Sequence, residues 1–196
     1  MTDLVESVLA ELEQFGKRND ASTLERAQCM LNITRDTGKF LAVLVRATLA
    51  QRILEIGTSN GYSTLWLTRA ARAIGGSVTT VEFSEYKVRL AFANFASSGV
   101  GRYITLVHDD AGRMLQRSAD SAFDFVFLDS ERPEYPAWWP DLRRVLRPGG
   151  LFVVDNATSH PQQMAPLMAL VDADPQFATC VVPIGNGEYL AVRGID

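Results

Sequence analysis

An α/β fold, a mostly parallel sheet of seven strands with helices on both faces, is what the sequence predicts, and three observations predict it. From residue 51 onward, short apolar or β-branched runs alternate with stretches of helical periodicity, the pattern of βαβ units. Each run is too short for a helix. The last two runs are joined by Gly185-Asn186-Gly187, hairpin chemistry that makes the end of the sheet antiparallel.

Taken in order, the first 50 residues hold helices and no strand. Leu4, Val5, Val8, Leu9, Leu12 and Phe15 recur at spacings of three and four, which predicts an amphipathic helix over Asp3–Phe15. A second helix is expected from Ser22 to Leu31, with Ser22 as N-cap and Glu25 completing a capping box, and a third from Thr37 to Leu49. The expected strands are Ile53–Ile56, Val78–Phe83, Ile104–Val107, Phe123–Leu128, Leu151–Val154, Phe177–Ile184 and Glu188–Val192. Pro148-Gly149-Gly150 is read as the turn before the fifth. Residues 1–196 are expected to form one domain, with 1–50 as helical cover and 51–196 as the α/β core.

Composition narrows the function. The 196 residues are 47% hydrophobic and 21% charged, with a mean hydropathy of +0.01, ordinary values for a folded soluble chain. The net charge of −4 and the lack of any long Lys/Arg run leave no footprint for nucleic acid. Cys29 and Cys180 lie in apolar stretches and are expected to be reduced core thiols. The first residues carry acids where a signal peptide needs a basic region, and the most apolar run, Phe40–Ala50, is broken by Arg46. A cytoplasmic location is therefore expected, with neither secretion nor membrane spanning.

In an open parallel sheet, ligands sit beyond the carboxyl ends of the strands. The first strand leads into Glu55-Ile56-Gly57-Thr58-Ser59-Asn60-Gly61-Tyr62-Ser63, where glycines permit a sharp turn and a close approach to a ligand. Glu82 ends the second strand and is placed to accept from ribose hydroxyls. The remaining strand ends are Asp109-Asp110-Ala111, Asp129 and Asp155-Asn156. The glycine loop admits three readings. A dinucleotide site lacks the third glycine and sets Glu55 against a pyrophosphate. A G-x-S-x-G nucleophile elbow would use Ser59 with Asp129 and His160, but only helices precede it. An S-adenosylmethionine site turns Glu55 into an asset, because the methionine end carries an ammonium.

On the third reading the chain resembles the cation-dependent O-methyltransferases, which include the caffeoyl-CoA and catechol enzymes and bacterial relatives. The resemblance runs from about Leu31 to the C-terminus. It rests on Leu54-Glu55-Ile56-Gly57 with Gly61-Tyr62-Ser63, Val81-Glu82, Phe127-Leu128-Asp129, Arg147-Pro148-Gly149-Gly150 with Val154-Asp155-Asn156, and Pro183-Ile184-Gly185-Asn186-Gly187, in that order. It implies a class I methyltransferase fold and contacts to S-adenosylmethionine from Ile33, Glu55, Gly57, Thr58, Gly61, Tyr62, Ser63, Glu82, Phe83, Asp110, Ala111 and Asp129. Ser63 doubles as a first-turn helix residue and Asp110 as an N-cap.

Asp129, Asp155 and Asn156 end neighbouring strands, so their oxygens can converge on one hard cation, Mg²⁺, Mn²⁺ or Ca²⁺; the resemblance assigns the metal to these same three residues. The expected acceptor is a small hydroxylated molecule of aromatic or catechol type. The family commonly carries lysine as general base where this chain has Arg132. Arginine stays protonated, so Arg132 can stabilise a phenolate or bind a carboxylate but cannot take a proton. Two alternatives remain within the fold: metal-independent transfer, and cofactor binding without catalysis. The short loop Ala157–His160 predicts an open acceptor site. Trp139 and Leu142 are expected to pack on the sheet rather than form a platform with Tyr135 and Trp138. The resemblance also implies a homodimer.

Overall fold

The computed structural model describes residues 4–195. Seven strands form one sheet in the order β3-β2-β1-β4-β5-β7-β6. They are β1 (Arg52–Ile56), β2 (Ser77–Glu82), β3 (Ile104–His108), β4 (Phe123–Leu128), β5 (Leu146–Val154), β6 (Phe177–Val182) and β7 (Glu188–Arg193). The first five pair in parallel, and β7 runs antiparallel between β5 and β6. Chain order moves outward one way through β2 and β3 and the other way through β4 and β5. The crevice between β1 and β4 is therefore the topological switch point, where α/β sheets take their ligands.

Alternation along the strands divides the core in two. Ile53, Val78, Phe125, Phe127 and Val153 face one side, where α1 (Leu4–Ser22), α2 (Arg35–Ala47), α3 (Tyr62–Arg72) and α4 (Glu85–Ser98) cover them with Leu9, Leu41, Leu65, Trp66 and Phe95. Leu54, Val81, Val126, Phe152 and Val154 face α5 (Ala111–Arg117), α6 (Tyr135–Val145) and α7 (Pro161–Asp172). Trp139 and Leu142 pack here, as expected, with Trp139 edge-on to Phe177 at 5.0 Å.

Three expectations need correction. The second helix does not form. α1 runs on to Ser22, which is its last residue and not a cap, and Arg26–Gln28 make a single 3-10 turn. The segment lacks an apolar face, since Leu24 is fully exposed. It is held instead from outside: Asp20 accepts the N–H groups of Met30 and Leu31, and Asn19 donates to the Gln28 carbonyl. The cysteines are not core residues either, Cys29 being half-buried and Cys180 exposed on the edge strand β6. The Pro148-Gly149-Gly150 turn lies inside β5 as a bulge, where the register with β4 jumps between Phe123 and Phe125. The expected helix start at Asp3 lies outside the described residues. Among the described residues no helix is long and apolar enough to cross a membrane.

Candidate active site

A cleft of about 760 Å³ opens at the carboxyl ends of the parallel strands, within the roughly 300–1,000 Å³ range of small-molecule sites. Its floor is the loop after β1. Gly57 (φ +105°) and Gly61 (φ +90°) adopt conformations that L side chains rarely take. Any Cβ on Gly57 would stand 1.9 Å from the Asp129 carbonyl oxygen, so glycine is what lets β1 and β4 end side by side. Glu82 ties the loop down, accepting from Ser59 N at 2.9 Å and from Ser84 N at 2.9 Å. The Ser59 hydroxyl donates to the Met30 carbonyl at 2.8 Å. That bond pins the N-terminal segment over the cleft, and among the described residues no histidine bonds Ser59 to activate it as a nucleophile.

Of the residues expected to hold a cofactor, Ile33, Gly57, Thr58, Tyr62, Ser63, Glu82, Phe83, Asp110, Ala111 and Asp129 line this cleft. Glu55 and Gly61 do not. Gly61 is backed by the Phe95 ring. Glu55 lies fully buried behind the loop and accepts from the hydroxyls of Ser63 (2.6 Å), Thr64 and Thr80 (2.6 Å). Burial pushes its carboxyl up to about 7 against the pull of those three donors. In this structure Glu55 accepts from Ser63, which itself faces the cleft. Asp110 caps α5 through the Arg113 N–H at 2.9 Å and also lines the cleft. Phe83 is 73% exposed, an apolar ring left beside the acidic end of β2. Trp138 lines the cleft while its neighbour Trp139 is core.

The far end of the cleft holds Asp129, Asp155 and Asn156. The Asn156 amide donates to Asp129 Oδ1 at 3.2 Å and to Asp155 Oδ2 at 3.0 Å, so the three side chains meet at one point. Asn156 takes a left-handed backbone (φ +75°), which asparagine tolerates better than most residues. Burial and then the neighbouring Asp155 carboxylate push the Asp129 carboxyl well up, and burial raises Asp155 too. Asp155 Oδ1 is buried without a hydrogen-bond partner. Two crowded carboxylates of one sign favour positive charge, part of which Arg132 already supplies to both.

Arg132 is buried at 8% exposure and lines the same end. Its Nε donates to Gln163 Oε1 at 2.6 Å. His160 precedes α7, bonds Ser159 through Nδ1 at 2.9 Å and also lines the cleft.

Sequence reasoning missed two groups. Glu188 is buried and accepts from Thr37 Oγ1 at 3.1 Å. Burial and then Asp155 push its carboxyl up to about 10. An acid at an inward position of an otherwise apolar strand was the available signal. Asp20, Arg26 and Met30 join the cleft wall from the N-terminal segment; nothing local in their sequence marks them.

Comparison with known proteins agrees with this geometry. The O-methyltransferase family model matches residues 6–194. A Mycobacterium sp. (strain JLS) protein named "Putative O-methyltransferase" is 33% identical over 174 residues, covering 82% of this chain and 79% of the relative. Among solved structures, the O-methyltransferase from Bacillus cereus in complex with SAH superposes with a TM-score of 0.82 at 28% identity, covering 95% of this chain and 90% of that one. The cofactor-bound protein Rv0187 from MTB gives 0.83 at 27% identity, with 97% and 91% covered. The fold, the motifs and these matches agree: the chain belongs to the O-methyltransferase family and has the class I methyltransferase fold.

Proposed function

We propose that the chain is an S-adenosylmethionine-dependent O-methyltransferase that moves the methyl group onto a hydroxyl of a small catechol-like acceptor, with a divalent cation at Asp129, Asp155 and Asn156. The observation that carries the reading is the meeting of two carboxylates and a carboxamide at one end of a cleft whose other walls are Gly57, Ser63, Glu82 and Asp110. That B. cereus relative was solved with SAH, S-adenosylhomocysteine, the product such a transfer leaves.

The residues fit both groups. Glu82 spends one lone pair per oxygen on backbone N–H groups and keeps others for ribose hydroxyls. The exposed Phe83 ring offers an apolar face for a purine, and the first turn of α3, where Ser63 lies, offers its N-terminal end to a carboxylate. Asp129 and Asp155 are hard oxygen donors whose two carboxylates match a 2+ charge, and Asn156 would join them once its carboxamide turns to bring Oδ1, now bonded to Ser159, in place of the NH2 group. When bound, the ion supplies Lewis acidity that lowers the pKa of a coordinated hydroxyl and orients it. S-adenosylmethionine held there would supply the methyl group, its carbon–sulfur bond giving way to the bond to the acceptor oxygen and its sulfur becoming a neutral thioether. Arg132 keeps its proton throughout, so the hydroxyl proton leaves to solvent and the guanidinium serves only as fixed positive charge.

The test is methyl transfer from labelled S-adenosylmethionine to a panel of catechols, with and without chelator. Labelled ether that disappears with chelator is expected. Chelator-insensitive product would remove the metal and leave the metal-independent reading. Binding of S-adenosylhomocysteine without product on any diol would remove the acceptor class.

A further inference from the structure

We infer that Glu188 is a positioning residue of the cation site, holding the Asp155 carboxylate from behind in the orientation a divalent ion needs; the inference rests on the metal reading proposed above. The sheet brings the two residues together. β5 and β7 are antiparallel with Val154 opposite Tyr189, so one step further the register sets Asp155 opposite Glu188, and directly opposed residues point to the same face. That face is the one α2 covers, because Val153 and Leu190, two residues away on each strand, pack into the core on that side. Both acids are buried, Glu188 completely. Asp155 lines the cleft and Glu188 does not, which sets Glu188 behind the metal ligand rather than beside the ion.

The two oxygens of Glu188 have separate partners. Oε1 accepts from the Thr37 hydroxyl at 3.1 Å, in the first turn of α2. Thr37 in turn accepts from the hydroxyl of the N-cap Thr34 at 3.1 Å, so the donors run one way, from the start of the helix to Glu188. The hairpin between β6 and β7 comes close enough because Gly185 (φ +56°) stands where a Cβ would overlap both threonine hydroxyls. Among the described residues neither Glu188 Oε2 nor Asp155 Oδ1 has a donor. The two side chains are within hydrogen-bonding reach of each other, and one proton held between these oxygens satisfies both. Asp155 is thereby fixed through Oδ1, which leaves Oδ2, the oxygen that meets the Asn156 amide at 3.0 Å, for the cation. Partners of this kind set the direction of a metal ligand, and their loss costs roughly 10–100-fold in affinity. Glu188 also ties the site to α2, a helix that contributes none of the three ligands.

The experiment is calorimetric titration of Mn²⁺ into the wild type, Glu188→Leu and Glu188→Gln, each also titrated with S-adenosylhomocysteine. Glu188→Leu is expected to bind Mn²⁺ at least about tenfold more weakly. Glu188→Gln should stay within about threefold of the wild type, because its amide can accept from Thr37 and donate to Asp155 Oδ1 without carrying charge. S-adenosylhomocysteine, which draws on Glu82 rather than on the cation, should bind all three alike. Wild-type Mn²⁺ affinity in Glu188→Leu overturns the inference. So does a Glu188→Gln protein as weak as Glu188→Leu, which would make the carboxylate itself a ligand of the ion. If Glu188→Leu loses both ligands together, the isosteric Thr37→Val decides. Mn²⁺ affinity lowered about fivefold, the scale of one hydrogen bond, with S-adenosylhomocysteine still bound, upholds the positioning role, and unchanged affinity overturns it. A wild type that binds no Mn²⁺ overturns the metal reading and the inference with it.

Discussion

Replacing Gly57 with alanine tests how the floor of the cleft is built. At φ +105° a new Cβ would lie 1.9 Å from the Asp129 carbonyl oxygen and 2.8 Å from its carbonyl carbon. Ordinary contact begins near 3.4 Å, so the loop and the end of β4 must part by about 1.5 Å. Both are backbone, and neither can rotate away. Adding the strain of a forbidden dihedral, about 1–3 kcal/mol, the total is about 3 kcal/mol or more. At roughly 2–4 °C per kcal/mol for a chain of this size, the melting temperature should fall by about 6–12 °C. Because the displacement separates Asp129 from the loop, S-adenosylhomocysteine affinity should fall about 100-fold, the order expected for an ångström-scale misplacement. Gly75→Ala is the control. Its φ is +78°, but the nearest atom to a new Cβ, Gln51 Nε2, is 4.0 Å away, so it should cost about 1 kcal/mol and leave affinity alone. Thermal melts and calorimetry on both variants give the answer. A Gly57→Ala protein with wild-type affinity, or one no less stable than Gly75→Ala, would refute the close-approach argument.

Three further outcomes follow from the charges. Glu55 is raised from 4.5 to about 7. Its contribution to stability is complete below about 4.5 and is lost as pH rises through 7, about 3 kcal/mol at ~1.36 kcal/mol per pH unit; urea unfolding should show that slope in the wild type and not in Glu55→Gln, and parallel profiles would count against it. Asp124 has the opposite sign. Burial raises it, but the Arg52 side chain, the Arg52 and Gln51 N–H groups and Arg147 bring it down to about 2, so about 2 kcal/mol is present above pH 4 and lost toward pH 2. Asp124→Asn should therefore be less stable at pH 7 and nearly equal to wild type at pH 2. Finally, Mn²⁺ at about 100 times its Kd should stabilise the wild type by about 2.7 kcal/mol and leave the melting temperature of Asp155→Asn and Asn156→Ala unchanged; an equal shift in all three would place the ion elsewhere.

The sheet was legible because its signals are local and repeated. Ile53–Ile56 and Phe123–Leu128 are apolar apart from Glu55 and Asp124 because both their faces are buried, and Gly57 and Asp129 after them mark the end that meets the ligand. The N-terminal segment was not legible, because Ser22 and Glu25 mimic a helix start while the fold of residues 23–34 depends on Asp20, Asn19 and Ser59. Glu55 illustrates the remaining gap. It lies at the end of β1 as the sequence predicts, but whether it faces the cleft or stands behind it depends on Thr64 and Thr80, and Thr80 lies on the neighbouring strand. Glu188 bonds Thr37 from 151 residues away, a contact that no window along the chain contains.

The central claim, that this cleft takes the nucleoside cofactor with its ribose on Glu82, is tested most directly by titrating S-adenosylhomocysteine into the wild type and Glu82→Ala. One site with a Kd on the order of micromolar, about −8 kcal/mol, is expected for the wild type, weakened at least tenfold in the variant by loss of the carboxylate that also ties Ser59 and Ser84. No binding to the wild type, or the same Kd in both proteins, would contradict it.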